Sequence, residues 1–169
     1  MDIRLARPSD LRRLEVIERS ADSLYRDHFG AGVVPALELP PTPGADRAQT
    51  GILLVAAEAR FLLGFAHVVD HDGWAHLEQL AVHRDHQGSG VGRRLLAAAM
   101  EEARWTGYDR MSLTTYRGIP WNAPFYASEG FAVPERLEYY QERLLAHERA
   151  LGLEAGGARV VMTARLVRR

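Results

Sequence analysis

The spacing of hydrophobic residues predicts a strand, a helix and a long loop in the first third of the chain. Asp2–Arg7 alternates apolar with polar residues, which is typical of a short strand. After Pro8-Ser9-Asp10, a helix-starting sequence, apolar residues recur with a helical period from about Leu11. The pattern is lost between Gly30 and Gly51, where four of the eight prolines lie. We therefore predict a long loop there, with one short helical turn.

The remaining chain predicts further strands and helices in a mixed order. The predicted strands are Leu53–Ala59, Arg60–Val69, Trp74–His83, Met111–Tyr116 and Arg159–Val167, with a brief strand opening at Gly130-Phe131. The predicted helices are Val91–Trp105, Asn122–Ser128 and Glu135–Leu151. This order predicts a single domain over residues 1–169, of the α/β (α+β) class and built on a mixed sheet.

Composition narrows the chemistry that the chain can perform. It has no cysteine, and all 21 residues of the Lys+Arg class are arginine. Thiolate nucleophiles, disulfides, Schiff-base lysines and the P-loop lysine are therefore excluded. The net charge of -1 argues against nucleic acid as the main partner. The apolar runs are shorter than the ~20 residues that span a bilayer, and no signal-peptide core is visible, so we expect no membrane partner and a cytoplasmic location.

A glycine-rich turn, Gly88-Ser89-Gly90-Val91-Gly92, joins a predicted strand directly to a predicted helix. Backbone amides at a helix start are free donors at the positive end of the helix dipole, and glycine lets a ligand approach closely. The turn is thus suited to a pyrophosphate, or else it only reverses the chain. A P-loop would need a lysine. A dinucleotide fold would need an acidic residue after the next strand, which ends Thr114-Thr115-Tyr116.

Two blocks of sequence resemble one enzyme family. Gln87–Gly92 fits the Gln/Arg-x-x-Gly-x-Gly/Ala signature of the GCN5-related N-acetyltransferase (GNAT) family, and its flanks Leu80-Ala81-Val82 and Arg93-Arg94-Leu95-Leu96 are similar to that family's central segment. Asn122–Phe131 resembles the family's Asn…Tyr-x-x-x-Gly-Phe block. The resemblance implies a mostly antiparallel sheet of six to seven strands, splayed at strand 4, with helices on both faces. It also implies acetyl-CoA as co-substrate. We expect no metal. A zinc site at His83-x-x-His86 would need further ligands.

The resemblance assigns cofactor-binding residues on both sides of the splay. The backbone of Leu80, Ala81 and Val82 would hold the pantetheine arm. The amides of Gln87, Gly88, Ser89, Gly90, Val91 and Gly92 would hold the pyrophosphate. Arg93 and Arg84 would reach the nucleotide phosphates, unless they are solvated surface charges.

Asn122 has two possible roles. By resemblance it would contact the cofactor arm. In many relatives, however, the asparagine precedes the tyrosine by about two helical turns, whereas here Tyr126 follows after four residues. The alternative is that Asn122 caps a short helix whose first turn contains Pro124.

The resemblance also implies an acid and a base for the attack of an amine on a thioester, which needs a neutral amine and a proton for the thiolate. Tyr126 stands at the position of the family's general acid. Glu78 is the implied base, with His76, Asp70 or water as the alternatives. Thr114 stands where some relatives carry a glutamate.

Alternation along the strand bears on the choice of base. It places Glu78 on the same face as His76, Leu80 and Val82, unless a bulge intervenes.

Two segments are expected to bind the acceptor amine. They are the loop within Ser20–Gly51 and the helical insertion Glu135–Leu151, which could instead pack against a second subunit in a homodimer. The charge balance gives no large acidic groove for a basic peptide, so a small-molecule amine is favoured. A protein amino terminus or lysine is the alternative acceptor, and a non-catalytic acyl-CoA-binding module is the alternative of a different class.

Overall fold

A computed structural model describes residues 1–166 as one six-stranded sheet with helices on both sides. The strands are β1 (Asp2–Leu5), β2 (Ile52–Glu58), β3 (Phe61–His71), β4 (Trp74–Val82), β5 (Arg110–Tyr116) and β6 (Arg159–Arg165). The helices are α1 (Leu11–Phe29), α2 (Gly44–Arg47), α3 (Val91–Thr106), α4 (Ala123–Ser128) and α5 (Tyr139–Ala150), with 3₁₀ turns at Pro35–Glu38, Arg84–His86 and Leu153–Gly156. Val167, predicted to end the last strand, lies outside the described residues.

The sheet is antiparallel except at its centre. Its order is β1-β2-β3-β4-β5-β6, and only β4 and β5 run parallel. Those two strands pair at Ala75–Met111 and His76–Ser112 and then separate. The prediction of a mixed, mostly antiparallel sheet splayed at strand 4 is confirmed.

Two apolar clusters hold the helices to opposite faces of the sheet. The helical spacing of Leu95, Leu96 and Ala99 gives α3 a buried stripe that packs with Leu77 and other β4 residues. On the other face, α1 packs Leu14 and Ile17 against Phe65 and Ala81. Each buried leucine or isoleucine contributes roughly 1.5–3 kcal/mol relative to an exposed side chain.

The structure corrects three of the predicted elements. The loop between Gly30 and Gly51 contains two short helical turns instead of one. The brief strand at Gly130-Phe131 is only an isolated bridge between Ala132 and Thr163.

The predicted helix Glu135–Leu151 begins later, at Tyr139, because Glu138 and Gln141 form a capping box there.

Within residues 1–166, no helix is both long and apolar enough to cross a membrane.

A buried ion pair fastens the long loop to α1. Arg47 Nη2 lies 3.0 and 2.8 Å from the two carboxylate oxygens of Glu18, and Arg47 Nη1 lies 3.3 Å from Nδ1 of His67. Arg47 and Glu18 are both buried. Burial raises the pKa of Glu18, although the Arg47 charge acts in the opposite direction.

We expect Arg47→Ala to lower the free energy of unfolding by about 3–5 kcal/mol, because it leaves the Glu18 carboxylate buried without its counter-ion. Urea denaturation measures this change. Arg19→Ala is the matched control, since its 3.6 Å pair with Glu15 is partly exposed. The free energy of unfolding of that variant should fall by less than about 1 kcal/mol. Equal losses in the two variants would contradict the assignment.

Candidate active site

The separation of β4 from β5 opens a cavity of about 430 Å³, here called the glycine-side cavity. The predicted residues on its wall are Leu80, Val82, Gln87, Gly88, Gly90, Gly92, Arg93, Asn122 and Tyr126. Three further predicted residues have side chains directed elsewhere. Ala81 packs in the α1 cluster, Val91 packs in the α3 cluster, and the Ser89 hydroxyl donates to the carbonyl of His86.

The glycine turn presents a run of free amides to this cavity. Gly88 and Gly90 have φ of +72° and +84°, and a Cβ at either position would meet open space. Within the described residues, the six backbone amides from Gly88 to Arg93 have no acceptor. The Gln87 amide differs, because it already donates to the Arg84 carbonyl at 3.2 Å. The free donors therefore begin one residue later than the sequence suggests.

Both arginines near the turn have carboxylate partners. Arg84 donates to Asp27 at 2.9 Å and to Ser23 at 2.7 Å, which ties the turn to α1. Arg93 donates to Glu129 at 2.7 Å, and its side chain is largely exposed at the rim of the cavity. Arg93 lines the glycine-side cavity, whereas Arg84 is not among its lining residues.

Asn122 lies buried at the base of the splay and does not cap α4 with its side chain. Asn122 thus occupies the N-cap position, where its backbone carbonyl accepts from the Tyr126 amide at 3.1 Å, but the predicted side-chain cap is absent. Its Oδ1 accepts from the Tyr25 hydroxyl at 3.0 Å and from Thr115 Oγ1 at 2.6 Å. Its Nδ2 is buried without a partner among residues 1–166. An unpaired buried N–H donor is costly, so this amide is suited to an acceptor atom of a ligand.

Tyr126 lines the glycine-side cavity and also a second cavity beside it. The turn of α4 that follows Asn122 places it there, and its ring packs on Phe125 and Phe131. Burial raises the pKa of the Tyr126 phenol well above its usual value. The phenol therefore stays protonated at neutral pH.

The second cavity, here called the loop-side cavity, has a volume of about 420 Å³. Both predicted substrate segments contribute to its wall, through residues 36–42 and through α5. The two cavities share six lining residues, which are Asp22, Tyr25, Gln79, Leu80, Asn122 and Tyr126. The cavities are therefore adjacent.

A β-bulge changes which residues of β4 share a face with the candidate base Glu78. Val68 pairs with Leu77 and His67 with Gln79, which leaves Glu78 as the extra residue of β4. Glu78 lines the same cavity as His76, in agreement with the prediction, but the bulge turns Leu80 and Val82 to the opposite face, so the prediction is wrong for those two residues. Leu77, Leu80 and Val82 pack in the α3 cluster.

Of the predicted bases, Glu78 and His76 line the loop-side cavity, whereas Asp70 does not. Glu78 is 47 % exposed, and its Oε2 lies 3.9 Å from Nε2 of buried His76. Asp70 accepts from the Gly73 amide in the β3–β4 turn instead.

Two acidic residues of the site were missed by sequence analysis. Glu148 of α5 accepts from Thr114 and forms a two-point ion pair with Arg159, at 2.9 and 3.0 Å. Asp22 of α1 lines both cavities, and burial raises the pKa of Asp22 to about 7. No local pattern distinguishes these carboxylates from the other acidic residues of α1 and α5. Only the tertiary packing places them.

The chain belongs to the GNAT family of N-acetyltransferases, because a family profile described as an acetyltransferase (GNAT) domain matches residues 49–133, half of the sequence. It is thus an enzyme, an acyl-CoA N-acyltransferase. The histidine and acidic side chains of residues 1–166 nowhere form a group of three that could hold a metal ion.

Solved structures of this family share the fold over nearly the whole chain. The ribosomal-protein-S18-alanine N-acetyltransferase of Escherichia coli is 17% identical with a TM-score of 0.67, and the match covers 99% of this chain and 95% of that one. The Salmonella typhimurium protein yncA, determined with acetyl-CoA, is 22% identical with a TM-score of 0.69, over 100% and 95% of the two chains. The PaiA N-acetyltransferase of Thermoplasma acidophilum, in complex with coenzyme A, is 17% identical with a TM-score of 0.68, over 97% and 98%.

The raised pKa of Asp22 predicts an unusual pH dependence of stability. The folded state holds the Asp22 proton up to about pH 7, whereas the unfolded state releases it near its usual value of 3.8. The free energy of unfolding should therefore fall as pH rises between these values. At pH 8 the free energy of unfolding of Asp22→Asn should be higher than that of wild type by about 1–2 kcal/mol, a figure reduced because Asp22 is partly exposed. Near pH 4 the two free energies should be equal.

Thermal unfolding at both pH values measures the difference. Asp46→Asn, which changes an exposed carboxyl, is the control and should show no such gain. A gain of the same size for Asp22→Asn at pH 4 would argue against titration of Asp22 as its cause.

Proposed function

We propose that this chain acts as a single domain that transfers the acetyl group of acetyl-CoA to the primary amine of a small molecule. The observation that carries the proposal is the meeting of two cavities in the gap between β4 and β5. One cavity has the glycine turn and the other has the acidic groups. A thioester held at the junction is reached by an amine from the opposite side.

The glycine-side cavity has the donors that a CoA molecule needs. The six free amides from Gly88 to Arg93 suit the pyrophosphate, and Arg93 at the rim suits the nucleotide phosphates. The backbone from Leu80 to Val82 follows the open edge of the splay, where the pantetheine arm would run. The free Nδ2 of Asn122 suits a carbonyl oxygen of that arm.

The residues at the junction supply the acid and the base. The amine nitrogen forms a bond to the acetyl carbon, and the carbon–sulfur bond breaks. Glu78 takes the proton that the attacking amine loses, through water if needed, and Tyr126 donates to the departing thiolate sulfur. Asp22 lines the same junction and is a second group that can accept the amine proton above about pH 7.

The loop-side cavity favours a small cationic amine. Four carboxylates line it (Glu18, Asp22, Glu78 and Glu148), and of these Glu18 and Glu148 have arginine partners. Residues 36–42 and α5 wall the cavity on two sides, which leaves less room for a peptide chain than for a small molecule. The Escherichia coli relative is named for a protein alanine, so a protein amino terminus is the alternative acceptor.

Gly90→Asp should weaken acetyl-CoA binding by about 100-fold or more, because it places a carboxylate among the amides of the turn. Isothermal titration calorimetry measures the affinity. The matched control is Gly107→Asp at the other end of α3, where φ is also positive (+112°) and a Cβ also meets open space. Loss of affinity in both variants would indicate a general effect on the fold.

Tyr126→Phe should lower kcat by about 10²–10⁴-fold and leave acetyl-CoA affinity unchanged, because it removes only the donor to the thiolate. Thiol release from acetyl-CoA measures turnover over a panel of monoamines, diamines, amino acids and peptides. Tyr139→Phe is the control, since Tyr139 is 70% exposed on α5.

The panel also decides between the candidate functions. Turnover that is fastest with peptides would overturn the small-molecule assignment. Tight CoA binding without thiol release from any amine would favour the non-catalytic binding module. A wild-type rate in Tyr126→Phe would remove Tyr126 from the mechanism.

A further inference from the structure

A chain of buried polar groups connects α5 to the wall of the loop-side cavity. Gln141 Nε2 donates to the Tyr140 hydroxyl at 3.1 Å, and the Tyr140 hydroxyl lies 2.9 Å from Ser112 Oγ. Ser112 Oγ in turn lies 2.8 Å from Nδ1 of His76. All four residues are buried, so they bond to one another and not to bulk water.

The capping box of α5 sets the direction of every hydrogen bond in this chain. The Oε1 of Gln141 accepts from the Glu138 amide at 2.9 Å, which leaves only the donating NH₂ group to face Tyr140. The Tyr140 oxygen accepts from Gln141, so its one O–H proton is left to donate, and Ser112 Oγ is the partner within hydrogen-bond distance. Ser112 then has its own O–H proton to donate, and the partner in reach is Nδ1 of His76.

The direction fixes the protonation of His76. Its Nδ1 accepts from Ser112, so the neutral ring carries its one proton on Nε2. Burial, helped by the neighbouring His71 ring at 5.2 Å, lowers the pKa of His76 to about 3. The ring is thus neutral at physiological pH and has no free lone pair to accept a proton.

Glu78 is the group that this fixed N–H faces. His76 Nε2 lies 3.9 Å from Oε2 of Glu78, beyond hydrogen-bond distance. The Glu78 side chain is 47 % exposed, so a rotation of its carboxylate can close the gap. Glu78, the extra residue of the β4 bulge, lines the same cavity as His76.

We propose that His76 is a positioning residue, whose Nε2–H is fixed by the Gln141–Tyr140–Ser112 chain and orients the Glu78 carboxylate toward the acceptor amine. The proposal rests on the proposed function. It removes His76 from the candidate bases. It also gives the helical insertion a part in the reaction, since Tyr140 and Gln141 belong to α5.

The tautomer is tested on the wild-type protein without any enzymatic assay. Nitrogen-15 NMR of histidine-labelled protein distinguishes a protonated from an unprotonated ring nitrogen, and the His76 signals are those lost in His76→Gln. We expect a protonated Nε2 and an unprotonated Nδ1. A protonated Nδ1, or a ring doubly protonated at pH 7, would overturn the proposal even if the protein transfers acetyl groups.

Action through Glu78 is tested by two substitutions of His76. The amide nitrogen of glutamine can take the place of Nε2, and that of asparagine the place of Nδ1. His76→Asn should lower kcat/KM for the amine by about tenfold, whereas His76→Gln should restore most of it. The KM for acetyl-CoA should stay the same in both variants.

A double-mutant cycle separates positioning from a merely structural role. In a Glu78→Gln background, His76→Asn should have no further effect on kcat/KM, because the carboxylate that His76 orients is gone. The same tenfold loss in both backgrounds would overturn the proposal. Absence of thiol release in wild type would instead contradict the proposed function, and the NMR result would still stand by itself.

Discussion

The divergence of β4 from β5 is the constraint on which the rest of the structure depends. Parallel neighbours within an otherwise antiparallel sheet pair at only two positions, and beyond them the strand edges cannot satisfy each other. Backbone groups at an open edge need other partners. α3 and α4 border the gap, and side chains from α1, β5 and α4 meet in its base, where Asn122 bonds to Tyr25 and Thr115.

The acidic residues of the site differ in how their charge is balanced. On the loop side, Glu18 and Glu148 are held by arginines, whereas Asp22 has no ion pair among residues 1–166 and keeps its proton to about pH 7. A carboxyl kept close to neutrality in this way is poised to exchange a proton with a cationic ligand. Residues of the long loop and of α5 line the same cavity as Asp22.

The strength of the sequence signal explains which features could be predicted. The glycine turn could be predicted because a turn with free amides needs glycine at particular positions in the chain. Gly88 and Gly90 do adopt positive φ. The order of the elements could be predicted because apolar residues repeat with a regular period over long segments such as α3. The faces of Leu80 and Val82 relative to Glu78 were predicted wrongly, because a single-residue bulge reverses alternation without changing composition. The start of α5 was placed too early, because the charged residues before Glu138 suit a helix or a loop equally well.

The sequence by itself determined the class of fold, the family and the glycine turn, because each of these depends on residues that are close together in the chain. Only the tertiary structure decided which distant groups meet. It brought Asp22 of α1 to the same junction as Tyr126 of α4, and Gln141 of α5 into line with His76 of β4. Side-chain direction, burial and hydrogen-bond polarity arise from packing between elements. They therefore have no signature in local sequence, although they determine the protonation state of each group in the site.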